Sequence, residues 1–106
     1  MRLERTGIGK GRSFYKSDDG KKYILRAVDR SYTGRAKPPK YFLERIEGAK
    51  AVYVSGLFPT NDETLYSLDI KDSATGVRVM YEARFMEGGA VLEITPKRSR
   101  VLCRTL

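Results

Sequence analysis

Over residues 64–95 apolar and polar side chains alternate with period two, and this limits the possible folds more than any other feature of the chain. Tyr66, Leu68 and Ile70 fall on one face of 64–71, with Ser67, Asp69 and Lys71 on the other. Val77, Val79, Tyr81, Ala83 and Phe85 oppose Arg78, Glu82 and Arg84, and Ala90, Leu92 and Ile94 oppose Val91, Glu93 and Thr95. A helix would spread such residues round its axis, whereas a strand turns them to one side. The links Asp72-Ser73-Ala74-Thr75-Gly76 and Glu87-Gly88-Gly89 are short and carry glycine, as antiparallel connections require. Residues 64–95 are therefore predicted to form a three-stranded meander.

The same reasoning extends upstream. Ser17-Asp18-Asp19-Gly20-Lys21 separates strand-like runs at 12–16 and 22–29, and its Asp-Gly pair suits a tight hairpin turn. Residues 51–58, bounded by Gly48 and Pro59, are apolar on both faces and read as a central, well-covered strand. The segment between is two-sided. Pro38-Pro39 can open a short helix over 40–47, with Phe42 and Ile46 four apart and Gly48 as its stop. The same residues can instead pair as a hairpin with 51–58. Taking the helix, the expected fold is mainly β: a small antiparallel sheet or partly closed barrel in the order β-β-α-β-β-β-β. One domain is expected across 1–106, with a β body at 12–95, a basic glycine-rich arm at 1–11 and a basic tail at 96–106.

At 106 residues the chain is long enough to fold alone and to bury roughly two thirds of its unfolded surface. Its apolar fraction of 41% is too high for a disordered chain. Its opening residues, Met1-Arg2-Leu3-Glu4-Arg5-Thr6, lead into no apolar run, so a cytoplasmic address with no membrane association is expected. The chain lacks His, the commonest general base and metal ligand, and its one Cys, Cys103, has no partner for an internal disulfide. No nucleophile–base pair stands out, and the carboxylates Asp62, Glu63, Asp69, Asp72, Glu82 and Glu93 fall in predicted turns or on outward faces. Neither catalysis nor a metal or other cofactor is expected.

Charge is segregated. Residues 1–40 carry twelve Lys or Arg against four Asp or Glu, residues 41–95 carry five against nine, and residues 96–106 carry four against none. Cationic ends about an acidic middle suit a polyanionic partner. The stretch Gly7-Ile8-Gly9-Lys10-Gly11-Arg12-Ser13 has backbone amides and cations for phosphate, but neither the spacing of a P-loop nor the preceding strand of a dinucleotide site. It reads as a phosphate-tracking arm or as a plain solvated tail. The loop 30–42 mixes Arg30, Arg35, Lys37 and Lys40 with Tyr32, Tyr41 and Phe42; cations hold phosphates and exposed rings stack on unpaired bases. A structural alternative makes Tyr23 and Phe42 half-buried core residues. In the tail, Lys97, Arg98 and Arg100 resemble an import patch in composition and equally suit contact with RNA. Cys103 reads as an inert small residue.

The expectation from sequence is a small accessory protein that binds single-stranded DNA or RNA without strong sequence preference. Phosphate contacts are expected from Lys10, Arg12, Lys16, Lys21, Lys22, Arg26, Arg30, Arg35, Lys37, Lys40, Lys97, Arg98 and Arg100, with Tyr15, Tyr32 and Tyr41 as stacking rings. The alternative is a protein-binding module, an inhibitor or accessory subunit, that docks an acidic partner through its basic ends or self-associates, basic arm on acidic sheet.

Overall fold

In the computed structural model, which describes residues 1–28, 38–71 and 74–97, every extended run pairs with its neighbour in sequence. Eight strands are present among the described residues: β1 Arg2–Gly9, β2 Arg12–Ser17, β3 Lys22–Ala27, β4 Tyr41–Glu47, β5 Lys50–Pro59, β6 Leu65–Lys71, β7 Arg78–Met86 and β8 Val91–Pro96. All pairings are antiparallel, and β1 meets β8 through Arg2–Glu93, Leu3–Leu92 and Glu4–Val91 to close a barrel. The predicted 64–95 meander is β6–β7–β8. The predicted turn at 17–21 joins β2 to β3: Gly20, at φ +87°, bends the chain, and the Asp19 carboxylate accepts from the Lys21 N–H (3.2 Å) and from the Ser17 hydroxyl.

The barrel is filled by side chains from all eight strands: Leu3, Tyr15, Tyr23, Leu25, Leu43, Leu57, Tyr66, Leu68, Ala83, Leu92 and Ile94 form one buried cluster. A barrel of this size has an interior just wide enough for them. Each fully buried leucine or isoleucine contributes about 1.5–3 kcal/mol of transfer free energy. Tyr41, Tyr66 and Phe85 meet edge-on, with ring centroids 5.7–5.8 Å apart, and cover one side of this core.

Three expectations are corrected. Within the predicted helix 40–47, residues 41–47 form a strand, because Tyr41 and Leu43, two apart, both turn into the barrel, and a helix would carry only one of them there. Gly48, at φ +63°, turns the β4–β5 hairpin instead of stopping a helix. Residues 2–9 are not an arm but the strand that completes the barrel; Leu3 is wholly buried, and the Arg5 N–H donates to the Ala90 carbonyl (2.8 Å). The Phe14 ring lies over β1, where a Cβ on Gly7 or Gly9 would stand 3.8 or 3.5 Å from it, ordinary contact distances. Finally, β5 is well covered only in its second half. Val54 forms a bulge opposite β4, and Val52 and Tyr53 before it are 37% and 59% exposed.

Candidate nucleic-acid interface

Strand alternation sorts the β2 and β3 residues into two sets. Tyr15, Tyr23 and Leu25 point into the barrel; Arg12, Phe14, Lys16, Lys22, Ile24 and Arg26 point out. The β2–β3 register then sets Arg12 directly opposite Arg26, Phe14 opposite Ile24, and Lys16 opposite Lys22. Two like-charge pairs flank an apolar one. Continued onto β4 and β5, the first row reaches Phe42 and Gly56, and the second reaches Glu44 and Tyr53.

Directly opposed like charges destabilise a sheet. One of the four cations is compensated: Arg26 is 3.1 Å from the Glu44 carboxylate and lies 5.6 Å over the Phe42 ring. Arg12, Lys16 and Lys22 make no ion pair among the described residues, nor do Lys10 in the β1–β2 turn, Lys21 in the β2–β3 turn or Lys40 at the entry to β4. Glu4 stands in register with Lys16, but its nearest cation is Arg2 at 3.6 Å. The outer face of β2–β3 is thus a band of positive charge about a small apolar centre, compensated among the described residues only at Arg26. On β6–β8 the outward charges are mixed: Arg84 stands opposite Glu93 and Arg78 is bound to Asp69 (2.9 Å), while Lys71 also faces Arg78 in register.

Of the sixteen residues expected to touch nucleic acid, Lys10, Arg12, Lys16, Lys21, Lys22, Arg26 and Lys40 lie exposed on this band or at its ends. Lys97 is exposed just beyond β8, its N–H donating to the Met80 carbonyl (2.9 Å), at the end of the barrel that also holds the β2–β3 turn. Arg30, Tyr32, Arg35, Lys37, Arg98 and Arg100 lie outside the described residues, as does Cys103. Tyr15 and Tyr41 are corrections. Tyr15 is 2% exposed, its hydroxyl donates to the Gly89 carbonyl (2.8 Å), and burial pushes its phenol above the ordinary tyrosine range. The Tyr41 ring is edge-on to Tyr66 and Phe85. Tyr15 presents no free face, and Tyr41 is half-buried with its ring packed against the core. Adjacent residues of one strand face opposite ways, so Tyr15 could not share a surface with Lys16. Of the two rings given a structural reading, Tyr23 is buried and Phe42 is half-buried on the outer face.

Sequence reasoning passed over Tyr53, whose exposed ring sits 5.9 Å edge-on from Phe42 at the margin of the band. Only the β5 bulge, which shifts the phase of that strand, turns it outward. The turn carboxylates serve structure. Asp62 accepts from the Thr64 N–H (2.9 Å) and hydroxyl (2.7 Å), and these bonds hold its carboxyl below the usual range, as the Ser17 hydroxyl does for Asp19. Comparisons with protein-family models, with curated proteins and with solved structures give no match to this chain.

Proposed function

We propose that this protein binds single-stranded nucleic acid, with little sequence preference, through the outer face of β2 and β3. The observation carrying this reading is the pair of opposed like-charge rows, Arg12–Arg26 and Lys16–Lys22. Opposed like charges cost stability, which Glu44 partly offsets at Arg26 and which a polyanion lying across both rows would offset further. Along the strands the rows are four residues, about 14 Å, apart, so a phosphate backbone crossing the face meets both. Lys10, Lys21 and Lys40 extend the contact at either end. Phe14 and Ile24 between the rows and Tyr53 at the margin offer apolar surface to unpaired bases, which a duplex keeps stacked inside. Contacts of this kind are to backbone and ring faces, and they carry no base code.

Fluorescence anisotropy with labelled single-stranded DNA, single-stranded RNA and duplex DNA across a salt series tests the reading. With about four to six phosphates neutralised on a single strand, the log–log slope of affinity against salt is expected near −3 to −4. Single strands should bind more tightly than duplex. A flat salt response, or affinity unaltered when Arg12 and Lys16 are both changed to Gln, defeats it.

A further inference from the structure

The barrel is closed, yet one seam is nearly unpaired. β5 registers with β4 along most of its length, from Tyr41–Leu57 to Glu47–Lys50, but with β6 only at Phe58–Ser67 and Pro59–Tyr66. Residues 50–57 of β5 and 68–71 of β6 therefore have no register partner on the sides that face each other among the described residues. A cleft of about 580 Å³ lies there, within the size range of ligand sites. One bond crosses the cleft among the described residues: the Asp69 N–H donates to the Ser55 hydroxyl (3.2 Å), which itself donates to the Gly56 carbonyl (2.9 Å). A side chain thus stands in for a missing rung of the ladder. Beside it, the buried Oδ1 of Asp69 accepts no hydrogen bond, while its Oδ2 is held by Arg78.

We infer that the free edge of β5 is a strand-addition site for an extended acidic peptide segment of a partner protein. Two kinds of observation point to this occupant. An unpaired strand edge offers N–H donors and C=O acceptors in alternation, and only another polypeptide strand matches both; a phosphate backbone supplies acceptors alone. The second is charge. Lys50 and Lys71, at the open ends of the two walls, are exposed and make no ion pair among the described residues. Apolar side chains of the same segment would meet Val54 and Ile70, which are only partly covered by the core. The cleft shares Phe42 and Tyr53 with the margin of the β2–β3 face, but the edge that would pair with the peptide lies on β5, and the inference does not rest on nucleic-acid binding.

The test uses the full chain, isotope-labelled, and an acetylated, amidated eight-residue peptide alternating Glu with Val. Saturable binding is expected, with amide shifts confined to 51–57 and 68–71. Replacing Glu by Lys in the peptide, N-methylating its alternate backbone amides, or making Lys71→Glu in the protein should each weaken binding about tenfold. Lys71 is exposed, so the variant is expected to keep the amide spectrum of the core. The inference is overturned if the peptide does not bind, if the N-methylated peptide binds equally well, or if the shifts fall on β2–β3. It is equally overturned if an oligothymidylate shifts 51–57 while the peptide does not, or if the chain sediments as a dimer that protects the β5 edge.

Discussion

Arg12→Glu separates the energetic requirements of the fold from those of binding. Arg12 faces Arg26 across the β2–β3 pair, and no carboxylate neutralises it. For two unit charges taken about 6 Å apart in water the repulsion is about 0.7 kcal/mol, and a Debye length of about 10 Å roughly halves it; because Glu44 partly neutralises Arg26, this is an upper bound for the pair. Reversing one sign turns a cost of about 0.4 kcal/mol into a gain of about the same size. The swing, about 0.8 kcal/mol, lies within the ordinary range for cross-strand charge pairs. For a domain of this size it corresponds to a rise in Tm of about 3–6 °C. The same change places a carboxylate where a phosphate is proposed to sit, so affinity for a single strand should fall and the salt slope should shrink by about 0.7 or more. Calorimetry in 50–100 mM salt and anisotropy on the same sample measure the two effects together. A lowered Tm would refute the electrostatic account of this face; a raised Tm with unchanged affinity and salt slope would show that no polyanion uses it.

Further outcomes follow from particular contacts. Gly56→Ala would place a Cβ 2.8 Å from the Pro39 Cβ, and the overpacking should cost about 1–3 kcal/mol in urea unfolding. Tyr15→Phe removes the donor to the Gly89 carbonyl and should cost about 1–3 kcal/mol, with nucleic-acid affinity unchanged because the ring lies inside the barrel; loss of affinity in a folded variant would restore Tyr15 to the interface. Burial raises the folded-state values of Tyr15 and Tyr23 above 10.0. The unfolded chain thus releases these protons first, and stability is full below pH 10 and falls as pH rises through the folded-state values. Denaturation midpoints at pH 8 to 11 should show that decline, and Tyr15→Phe should lessen it. Asp19 is held below 3.8 chiefly by the Ser17 hydroxyl; its contribution is present above 3.8 and is lost as pH falls through the depressed value. In Ser17→Ala, NMR titration should find the Asp19 carboxyl moved back toward 3.8.

How much was legible from residues alone varies along the chain with a physical pattern. The 64–95 meander was readable because each strand is half-buried, so burial imprints a strict alternation on it. The 40–47 segment was misread because Phe42 and Ile46, spaced for a helix face, are both half-buried on the outside of the barrel, against Arg26, Tyr53 and neighbouring strands. β1 was missed because its glycines and cations mimic a flexible arm, while the contact that fixes it in the core, Leu3, is a single apolar residue in a polar run. Among the described site residues, the cations lie on the surface, since Lys and Arg are seldom buried. Tyr15 lies in the core instead and Tyr41 packs against it, because tyrosine is equally at home in a core with its hydroxyl bonded or on a surface.

By itself, then, the order of residues determined an antiparallel β protein of short hairpins, with cations concentrated outside the central segment. Both follow from local rules: side-chain period, turn chemistry and the cost of burying charge. Three features were decided only by tertiary structure: that the first strand meets the last, that Arg12 faces Arg26 and Lys16 faces Lys22, and that β5 parts from β6 after two rungs. Each depends on register and closure between strands, where a shift of one residue turns every side chain to the other face, and no segment read alone contains that information.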